Sequence, residues 1–433
     1  MNLLVTNTRN AQAYAIIRAL RPYAQKVVAT MEGGHRLAAR LSHAANSRLV
    51  DKRYYTPSPA KDWRAGKIQR ENTETEEAYI QAVLRICEQE KIDTIFPSFD
   101  PHMYVFSKNK ERFEKTGALI PVPNYEIVIT PLDKYRTIQV AQEVGFPCPK
   151  TYLPRSEDDL RTIADESGFP LVIKPCFTSA GRGMRMVGDF QALLENVQSV
   201  CAHQTMPIVQ EYIPGKQNQN YYLVLDRKGE CKSVFCATNL YPSRVAQALA
   251  SAGESIAPND YVQDAIKLVR RLGWWGGATV QVKIDSRDGI PKLMEINPRL
   301  GVNLWYRTEL GINVPWMCVN MARGQDIRAV NNYPVEMMLI DPIASILELG
   351  FNVLDLLFYK IRIGIQNKSP IDPSNPPMTL CSLMRCFLQP YSNDKKKIFN
   401  PYFRYFSRDP RVSVIWYLQF LISILRQAKQ LGQ

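Results

Sequence analysis

Short apolar runs alternate with helix-patterned segments along the first hundred residues, and this alternation restricts the fold more than any other feature. The runs are Leu3–Thr6, Val27–Thr30 and Ile92–Phe96. Strands that alternate with helices at this spacing form a parallel sheet with helices on its faces. The turn Thr6–Asn10 contains no glycine, so the chain lacks a dinucleotide fingerprint where a Rossmann oxidoreductase would carry it. We expect an α/β domain over residues 1–125.

The composition excludes disordered, fibrous and disulfide-stapled proteins. Of the 433 residues, 45% are hydrophobic and 22% are charged, as in average globular proteins. The nine cysteines and four histidines show no zinc-finger spacing, so reduced, buried thiols are expected. No signal-like start and no apolar run of about 18 residues is found, and we expect a cytoplasmic protein. The net charge of +13 indicates an anionic partner, either nucleotide phosphate, nucleic acid or lipid headgroups.

A lysine at the end of one predicted strand suits phosphate binding. Lys174 closes the apolar strand Pro170–Pro175 and is followed by the small-residue loop Thr178–Met184. A strand-end lysine directs a compact positive charge at one spot, and backbone N–H groups of such a loop close over phosphate oxygens. A surface lysine before an ordinary hairpin explains this segment equally well.

A second strand ends in the residues Gln210–Ile213, just before Pro214 and Gly215. Backbone groups at such a strand end can contact an adenine edge, with Glu211 accepting from the exocyclic amine. Taken alone, an edge strand with an exposed glutamate is at least as good an interpretation.

The strongest signal is a row of polar residues along one strand. Glu295, Asn297 and Arg299 are two residues apart, so strand alternation places them on one face. Gln281 lies on the preceding strand, which can pair with this one around the turn at Asp288. Such oxygen ligands together with nucleotide phosphates suit Mg²⁺, and Arg299 can hold a carboxylate or acyl phosphate bidentately. The alternative is a solvated Glu295–Arg299 ion pair.

In this order and spacing the motifs resemble the ATP-grasp superfamily, in its carbamoyl-phosphate-synthase-like and carboxylate–amine ligase branches. The resemblance covers residues 1–325 and rests on Asp133-Lys134, Val172–Pro175, Thr178–Met184, Val209–Gly215, Gln281 and Met294–Arg299. It implies an α/β protein with a two-lobed ATP-grasp domain over 126–330, preceded by the parallel-sheet domain. The sequence beyond it predicts a basic, mostly helical region over 331–433.

The resemblance also implies roles for individual residues. Lys134 and Lys174 would contact nucleotide phosphates, and Arg299 and Lys174 would be catalytic, with Arg299 holding the phosphorylated intermediate. The implied Mg²⁺ ligands are Gln281, Glu295 and Asn297. The implied nucleotide contacts are, in the lid, Thr178, Ser179, Gly181, Gly183 and Met184, and, in the adenine-facing hinge, Gln210, Glu211, Tyr212 and Ile213.

One position departs from the family pattern. Relatives usually carry an acidic ribose-binding residue shortly after the hinge glycine, but this chain reads Lys216-Gln217-Asn218-Gln219-Asn220. Asn218 is our candidate replacement, with Asn220 as the alternative.

The implied function is an ATP- and Mg²⁺-dependent ligase (Mn²⁺ is the alternative ion) that activates a carboxylate or bicarbonate as an acyl phosphate for attack by an amine. Two alternatives stay open: a catalytically silent ATP-binding scaffold in a membrane-associated complex, and a kinase that stops at phosphorylation. The sequence leaves open the identity of the acid, the amine and the oligomeric state.

Residues 360–433 hold 12 Lys+Arg against 3 Asp+Glu, and Val412–Leu425 is a 14-residue apolar run. This run is too short to span a bilayer comfortably. It favours a helix packed on the body, with peripheral contact between residues 395–433 and anionic membrane as the alternative. Nucleic acid is not expected, because no recognised binding module accompanies the charge.

Overall fold

The computed structural model of the protein describes residues 1–32, 41–66, 68–178, 181–202, 205–242, 250–301, 303–341, 396–399 and 409–419. Within them the strands form a four-stranded parallel sheet, a seven-stranded sheet that is mostly antiparallel, and a four-stranded antiparallel sheet. The α/β class expected from the sequence is confirmed.

The strands are β1 (Asn2–Val5), β2 (Lys26–Glu32), β3 (Lys52–Thr56), β4 (Thr94–Phe96), β5 (Thr151–Tyr152), β6 (Leu171–Lys174), β7 (Arg185–Val187), β8 (Ile208–Glu211), β9 (Asn218–Leu225), β10 (Cys231–Pro242), β11 (Ala250–Ile256), β12 (Gly276–Ile284), β13 (Pro291–Asn297), β14 (Met338–Ile340) and β15 (Lys397–Phe399).

The helices are α1 (Ala11–Leu20), α2 (Ala60–Arg64), α3 (Glu74–Glu90), α4 (Asp100–Lys108), α5 (Lys110–Glu114), α6 (Tyr125–Leu132), α7 (Lys134–Glu143), α8 (Glu157–Ser167), α9 (Phe190–Cys201), α10 (Tyr261–Arg271), α11 (Leu304–Glu309) and α12 (Val314–Ala322), with 3₁₀ turns at Arg21–Tyr23 and Ala44–Asn46. Residues 410–419 are also helical.

The first sheet has the strand order β3-β2-β1-β4 with every pair parallel. The three apolar runs singled out in the sequence are its strands β1, β2 and β4, so the predicted parallel sheet is confirmed. In the glycine-free turn after β1, Asn7 takes a φ of +50°, a conformation that asparagine tolerates better than most residues. The carboxyl ends of these strands therefore lead directly into α1 and α4.

The seven-stranded sheet follows the order β13-β12-β9-β10-β11-β14-β15. Its third strand, β9, is buried on both faces: Tyr221 and Leu223 join one apolar core, and Tyr222 and Val224 join another. Side chains alternate across a strand, so β9 contributes to two cores at once. β9 pairs antiparallel with β10, and β12 pairs antiparallel with β13 around the turn at Asp288, as the sequence predicts.

The third sheet, β5-β8-β6-β7, forms a separate small lobe with α8 and α9. Leu171, Ile173 and Val209 of its strands pack with Leu160 and Leu193 of the two helices. Its strands β6 and β8 are the two whose ends carry Lys174 and Gln210, so this lobe positions half of the predicted site.

The described parts of the C-terminal region pack on the body. β15 pairs in parallel with β14, and Val412 in the helix over 410–419 is buried. Ser47 Oγ donates to Asp409 Oδ2 over 2.6 Å. The packed interpretation therefore holds for residues 409–419, and the rest of the predicted membrane-contacting region 395–433, apart from β15, lies outside the described residues. In the described ranges no helix is long and apolar enough to cross a bilayer.

Of the seven cysteines in the described ranges, all of them free, four are buried as expected, whereas Cys148 and Cys231 are half-buried and Cys201 is exposed. The domain boundaries at 125/126 and 330/331 stay predictions.

A buried ion pair anchors the far end of α4, the helix that begins at Asp100. Lys108 Nζ lies 2.7 Å from Glu76 Oε2, and the two side chains are only 3% and 2% exposed. Lys108→Met would leave the Glu76 carboxylate buried without its cation, and we expect the free energy of unfolding in urea to fall by about 3–5 kcal/mol.

The exposed Lys115→Met variant is the matched control and should change the free energy of unfolding by less than about 0.5 kcal/mol. Adding Glu76→Gln to Lys108→Met should recover part of the loss, because the uncompensated charge is removed. Equal stability of Lys108→Met and the parent protein would contradict the anchoring role.

Candidate functional site

Three polar side chains at the end of β13 contact one another in a row. Asn297 Nδ2 donates to Glu295 Oε1 over 2.8 Å, and Arg299 Nη2 donates to Asn297 Oδ1 over 2.9 Å. Ile296, between the first two, is buried in the core, so its neighbours face the opposite side of the strand. The face shared by Glu295 and Asn297 is as the sequence predicts, and Arg299 continues the row.

Arg299 has a further partner that sequence reasoning missed. Its Nε donates to Asp100 Oδ1 over 2.9 Å, and the two side chains are 13% and 5% exposed. Asp100 is the first residue of α4, directly after the turn that follows β4. The alternative ion pair between Glu295 and Arg299 is not formed, because the guanidinium contacts Asp100 and Asn297 instead. The only signal in the sequence was an acidic residue opening a helix after a buried strand.

Gln281 lies directly opposite Glu295 in the pairing of β12 with β13. Residues that face each other in this way have Cβ atoms about 4.5–5.5 Å apart. Glu295 Oε2 accepts no hydrogen bond within the described part of the chain. One carboxylate and neighbouring amide oxygens form the sparse, oxygen-only donor set that Mg²⁺ accepts when phosphates and waters complete its shell.

Lys134 is the first residue of α7, whose N-cap Asp133 accepts from the backbone N–H groups of Tyr135 and Arg136. Its Nζ donates to Thr178 O over 2.8 Å and to Thr178 Oγ1 over 3.3 Å. These bonds connect the start of α7 to the loop that follows β6. Two of the predicted phosphate contacts, Lys134 and Thr178, are therefore adjacent.

Lys174, at the end of β6, lies close enough to Lys134 and Glu295 for their charges to act on it. Burial is the largest cause that lowers its pKa; Glu295 opposes it, Lys134 and Lys283 add to it, and together they bring the pKa to about 8. An ammonium with so low a pKa is poorly compensated by the protein alone. When a multiply charged anion binds, such a group therefore gains more binding free energy than a solvated lysine does.

Glycine is required at one position of the predicted lid. Gly183 has a φ of +72°, and a Cβ there would come within 2.8 Å of Pro175 Cγ. Gly181 also has a positive φ, and Met184 is exposed. Ser179 lies outside the described residues.

The predicted hinge lies between the small lobe and the end of β12. Gly215 has a φ of +129°, and a Cβ there would meet Ile284 O at 2.2 Å, so the two backbones are in direct contact. Tyr212 packs under Lys283, whose Nζ is 4.9 Å from the ring centroid, and Ile213 is buried. Lys283 also lowers the pKa of Lys174. The hinge residue Tyr212 and Lys174 are therefore both close to Lys283.

The side chain of Glu211 is already engaged within the protein. Its Oε2 lies 3.1 Å from Arg287 Nη2, and its Oε1 accepts from the backbone N–H of Lys150 over 2.9 Å. Gln210 donates from Nε2 to Thr151 Oγ1 over 2.7 Å. The proposed contact between the Glu211 carboxylate and an adenine amine would compete with these bonds. A role for the hinge backbone and for Gln210 stays a prediction.

Asn218 and Asn220, the two candidates for the missing ribose-binding acid, both lie on β9. Asn220 is buried and faces Gln281 on the paired strand, whereas Asn218 is half-buried and faces Lys283. The greater exposure favours Asn218, as the sequence analysis proposes.

An open cavity of about 390 Å³ lies in front of this cluster. Four of the predicted residues line it: Lys134, Thr178, Glu295 and Asn297. Asp100 and Trp63, which sequence reasoning did not select, complete the wall toward the parallel sheet. Gln281, Lys174, Arg299 and the hinge lie outside its lining. The cavity thus brings together two residues of the β13 row, Glu295 and Asn297, and one lysine, Lys134.

Two family models match the chain. The carbamoyl-phosphate synthase L chain ATP-binding domain matches residues 133–329, and the PylC-like N-terminal domain matches residues 69–121. Among curated proteins, the N-terminal section of the carbamoyl phosphate synthase large chain of Methanopyrus kandleri is 23% identical over 50% of this chain, and the large chain of Pseudomonas putida is 25% identical over 51%. The matches span only 41% and 22% of those two proteins' lengths.

Solved structures show the same fold. The biotin carboxylase domain of Hydrogenobacter thermophilus 2-oxoglutarate carboxylase, in complex with MgADP and bicarbonate, aligns with a TM-score of 0.59 and 16% identity over 77% of this chain and 72% of that chain. Biotin carboxylase from Campylobacter jejuni aligns with a TM-score of 0.59 and 19% identity over 75% of this chain and 72% of that chain.

The low pKa of Lys174 makes phosphate binding pH-dependent in a defined direction. Below about pH 8 the free protein carries the ammonium, and above it the proton must be taken up when a phosphate binds. We expect the affinity for adenylyl imidodiphosphate to fall up to tenfold per pH unit between pH 8 and 9.5, measured by isothermal titration calorimetry.

Lys174→Arg keeps its charge throughout this range, so its affinity should vary much less with pH. Lys228→Arg, on the exposed turn between β9 and β10, should keep the parental profile. A parental affinity that is flat from pH 7.5 to 9.5 would show that Lys174 does not contact the phosphates.

Proposed function

Since the chain belongs to the ATP-grasp superfamily, in its carbamoyl-phosphate-synthase-like and carboxylate–amine ligase branch, we propose that it is an ATP- and Mg²⁺-dependent ligase. It activates a carboxylate as an acyl phosphate and passes the acyl group to an amine. The observation that carries this proposal is the contiguous row Glu295, Asn297 and Arg299 beside Lys134 and Lys174.

The first step joins the acid to phosphate. A carboxylate oxygen attacks the γ-phosphorus of ATP, the bond from that phosphorus to the β,γ-bridging oxygen breaks, and ADP leaves with the electron pair. In the second step the amine attacks the carbonyl carbon, phosphate leaves, and the nitrogen loses a proton. Phosphoryl transfer needs positioning and charge neutralisation more than covalent help from the protein.

The charged residues divide between these tasks. Lys134 and Lys174 neutralise the nucleotide phosphates, and Glu295 and Asn297, with Gln281 opposite, hold the metal ion. Bound Mg²⁺ would supply further neutralisation of the transferring phosphoryl group. Arg299, fixed by Asp100 and Asn297, presents its guanidinium to the carboxylate and then to the acyl phosphate.

The alternative of a silent scaffold has no observation in its favour. A protein that only bound nucleotide would not need a mostly buried arginine held by an aspartate at the start of α4. The acid and the amine are also parts of the proposal, because the chain covers less than half of its curated relatives. Peripheral membrane contact through 395–433 stays a prediction.

Trapping the acyl phosphate tests the reaction without knowledge of the amine. With ATP, Mg²⁺, a panel of carboxylic acids and hydroxylamine as a general nucleophile, we expect acid-dependent release of ADP and formation of the matching hydroxamate. Glu295→Gln weakens the metal site and should lower the rate at least 100-fold.

Glu166→Gln, an exposed glutamate on α8, is the matched control and should keep the parental rate. ADP release without hydroxamate, accompanied by a stable phosphorylated acid, would instead indicate a kinase. ATP binding without ADP release for any acid would favour the scaffold.

A further inference from the structure

A second cavity lies on the other side of Pro298 from the one that holds Glu295 and Lys134. It has a volume of about 280 Å³, and Arg299 and Pro298 form part of its wall. It lies between the end of β4, the start of α1 and the start of β12. Pro298 lines both cavities, and Arg299, the last residue of the β13 row, lines the second.

The walls of this cavity are largely apolar. They include Phe96, Met103, Val122, Trp274, Trp275 and Leu300, and each of these side chains is at most 8% exposed. A concave, apolar space with a few directed polar groups is the usual form of a small-molecule site. The volume of about 280 Å³ includes space that is open to solvent, so the occupant is small.

Two buried N–H donors in the wall have no acceptor. Gln12 and Trp274 are 2% and 3% exposed, both line the cavity, and neither Gln12 Nε2 nor Trp274 Nε1 donates a hydrogen bond to any described residue. Buried donors are almost always satisfied, and leaving them without an acceptor is costly. A molecule that enters the cavity with acceptor atoms would therefore satisfy both donors.

The charged side chains at the cavity are cations. Arg299, whose guanidinium is paired with Asp100, lines it, and Lys110 and Arg227 lie against the Trp275 ring, with their charged groups 5.7 Å and 4.7 Å from its centroid. No aspartate or glutamate belongs to its lining among the described residues. This environment attracts an anion and disfavours an ammonium group.

We propose that the second cavity is the acid-binding pocket of the enzyme and that its substrate is a small carboxylic acid with an apolar, branched or aromatic body and no ammonium group. The proposal rests on the ligase function proposed above and specifies its acid. The carboxylate lies at Arg299, facing the transferring phosphoryl group, and the apolar body fills the space lined by Trp274 and Trp275. Gln12 and Trp274 donate to acceptor oxygens of the acid.

This assignment separates the chain from an enzyme that activates bicarbonate. Bicarbonate has no carbon body, so it would make no apolar contacts with the walls. Burying a branched or aromatic body removes apolar surface from water, which bicarbonate cannot do. The pocket thus favours the larger acid by binding energy alone.

The first test compares acids on the unchanged protein. In the presence of Mg²⁺ and adenylyl imidodiphosphate, 4-methylpentanoate and 3-phenylpropanoate should bind at least tenfold more tightly than acetate or bicarbonate, measured by calorimetry. L-Leucine, which adds an ammonium group to the 4-methylpentanoate skeleton, should bind at least tenfold more weakly than that acid. Equal or tighter binding of L-leucine or bicarbonate would overturn the proposal.

The second test removes the two donors while preserving shape. Gln12→Leu and Trp274→Phe should each weaken binding of the preferred acid at least tenfold and leave the affinity for adenylyl imidodiphosphate within twofold. Their thermal midpoints should not fall, because each variant removes a buried donor that has no protein partner. Trp316→Phe, whose ring stacks on Tyr23 at 3.9 Å, is the matched control and should bind the acid normally.

The outcomes separate this proposal from the ligase function. Acid-dependent ADP release that is unchanged in Gln12→Leu and Trp274→Phe would overturn the pocket and leave the ligase. Tight binding of apolar acids that is lost in both variants, without ADP release from any acid, would support the pocket and overturn the ligase.

Discussion

The ion pair between Arg299 and Asp100 joins the two parts of the chain on which the site depends. Asp100 begins a helix behind the parallel sheet, and Arg299 follows the edge strand of the seven-stranded sheet. Both side chains are mostly buried, so removing either one would leave a poorly solvated charge. With Asn297 on its other side, the guanidinium is held in one position between two cavities before any ligand arrives.

Strand β9 supports this arrangement from the interior of the sheet. Its alternate side chains belong to two different apolar cores, and β12, which carries Gln281, pairs directly with it. A shift of one residue in this pairing would send every core side chain to the wrong face. The position of Gln281 opposite Glu295 is therefore determined by hydrophobic packing and not by any ligand.

Local periodicity made part of the site predictable. Glu295, Gln281 and Lys174 were found because strand alternation, a short hairpin and a strand end are properties of neighbouring residues. Asp100 was not found, because it lies 199 residues from Arg299 in sequence and no local pattern relates them. The partners of Glu211 were missed for the same reason: Arg287 is 76 residues away. Pairings of this kind depend on how the sheets pack against each other. A single sequence shows no local pattern that reveals such contacts.

The two cavities differ in chemistry, and Pro298 is their common wall. The first is lined by Lys134, Glu295 and Asn297, groups that suit phosphate and a metal ion. The second is apolar with unsatisfied donors, and it excludes water once it is filled. An acyl phosphate formed between them would have its phosphate among fixed charges and its carbon body away from water, which protects it from hydrolysis until the amine arrives.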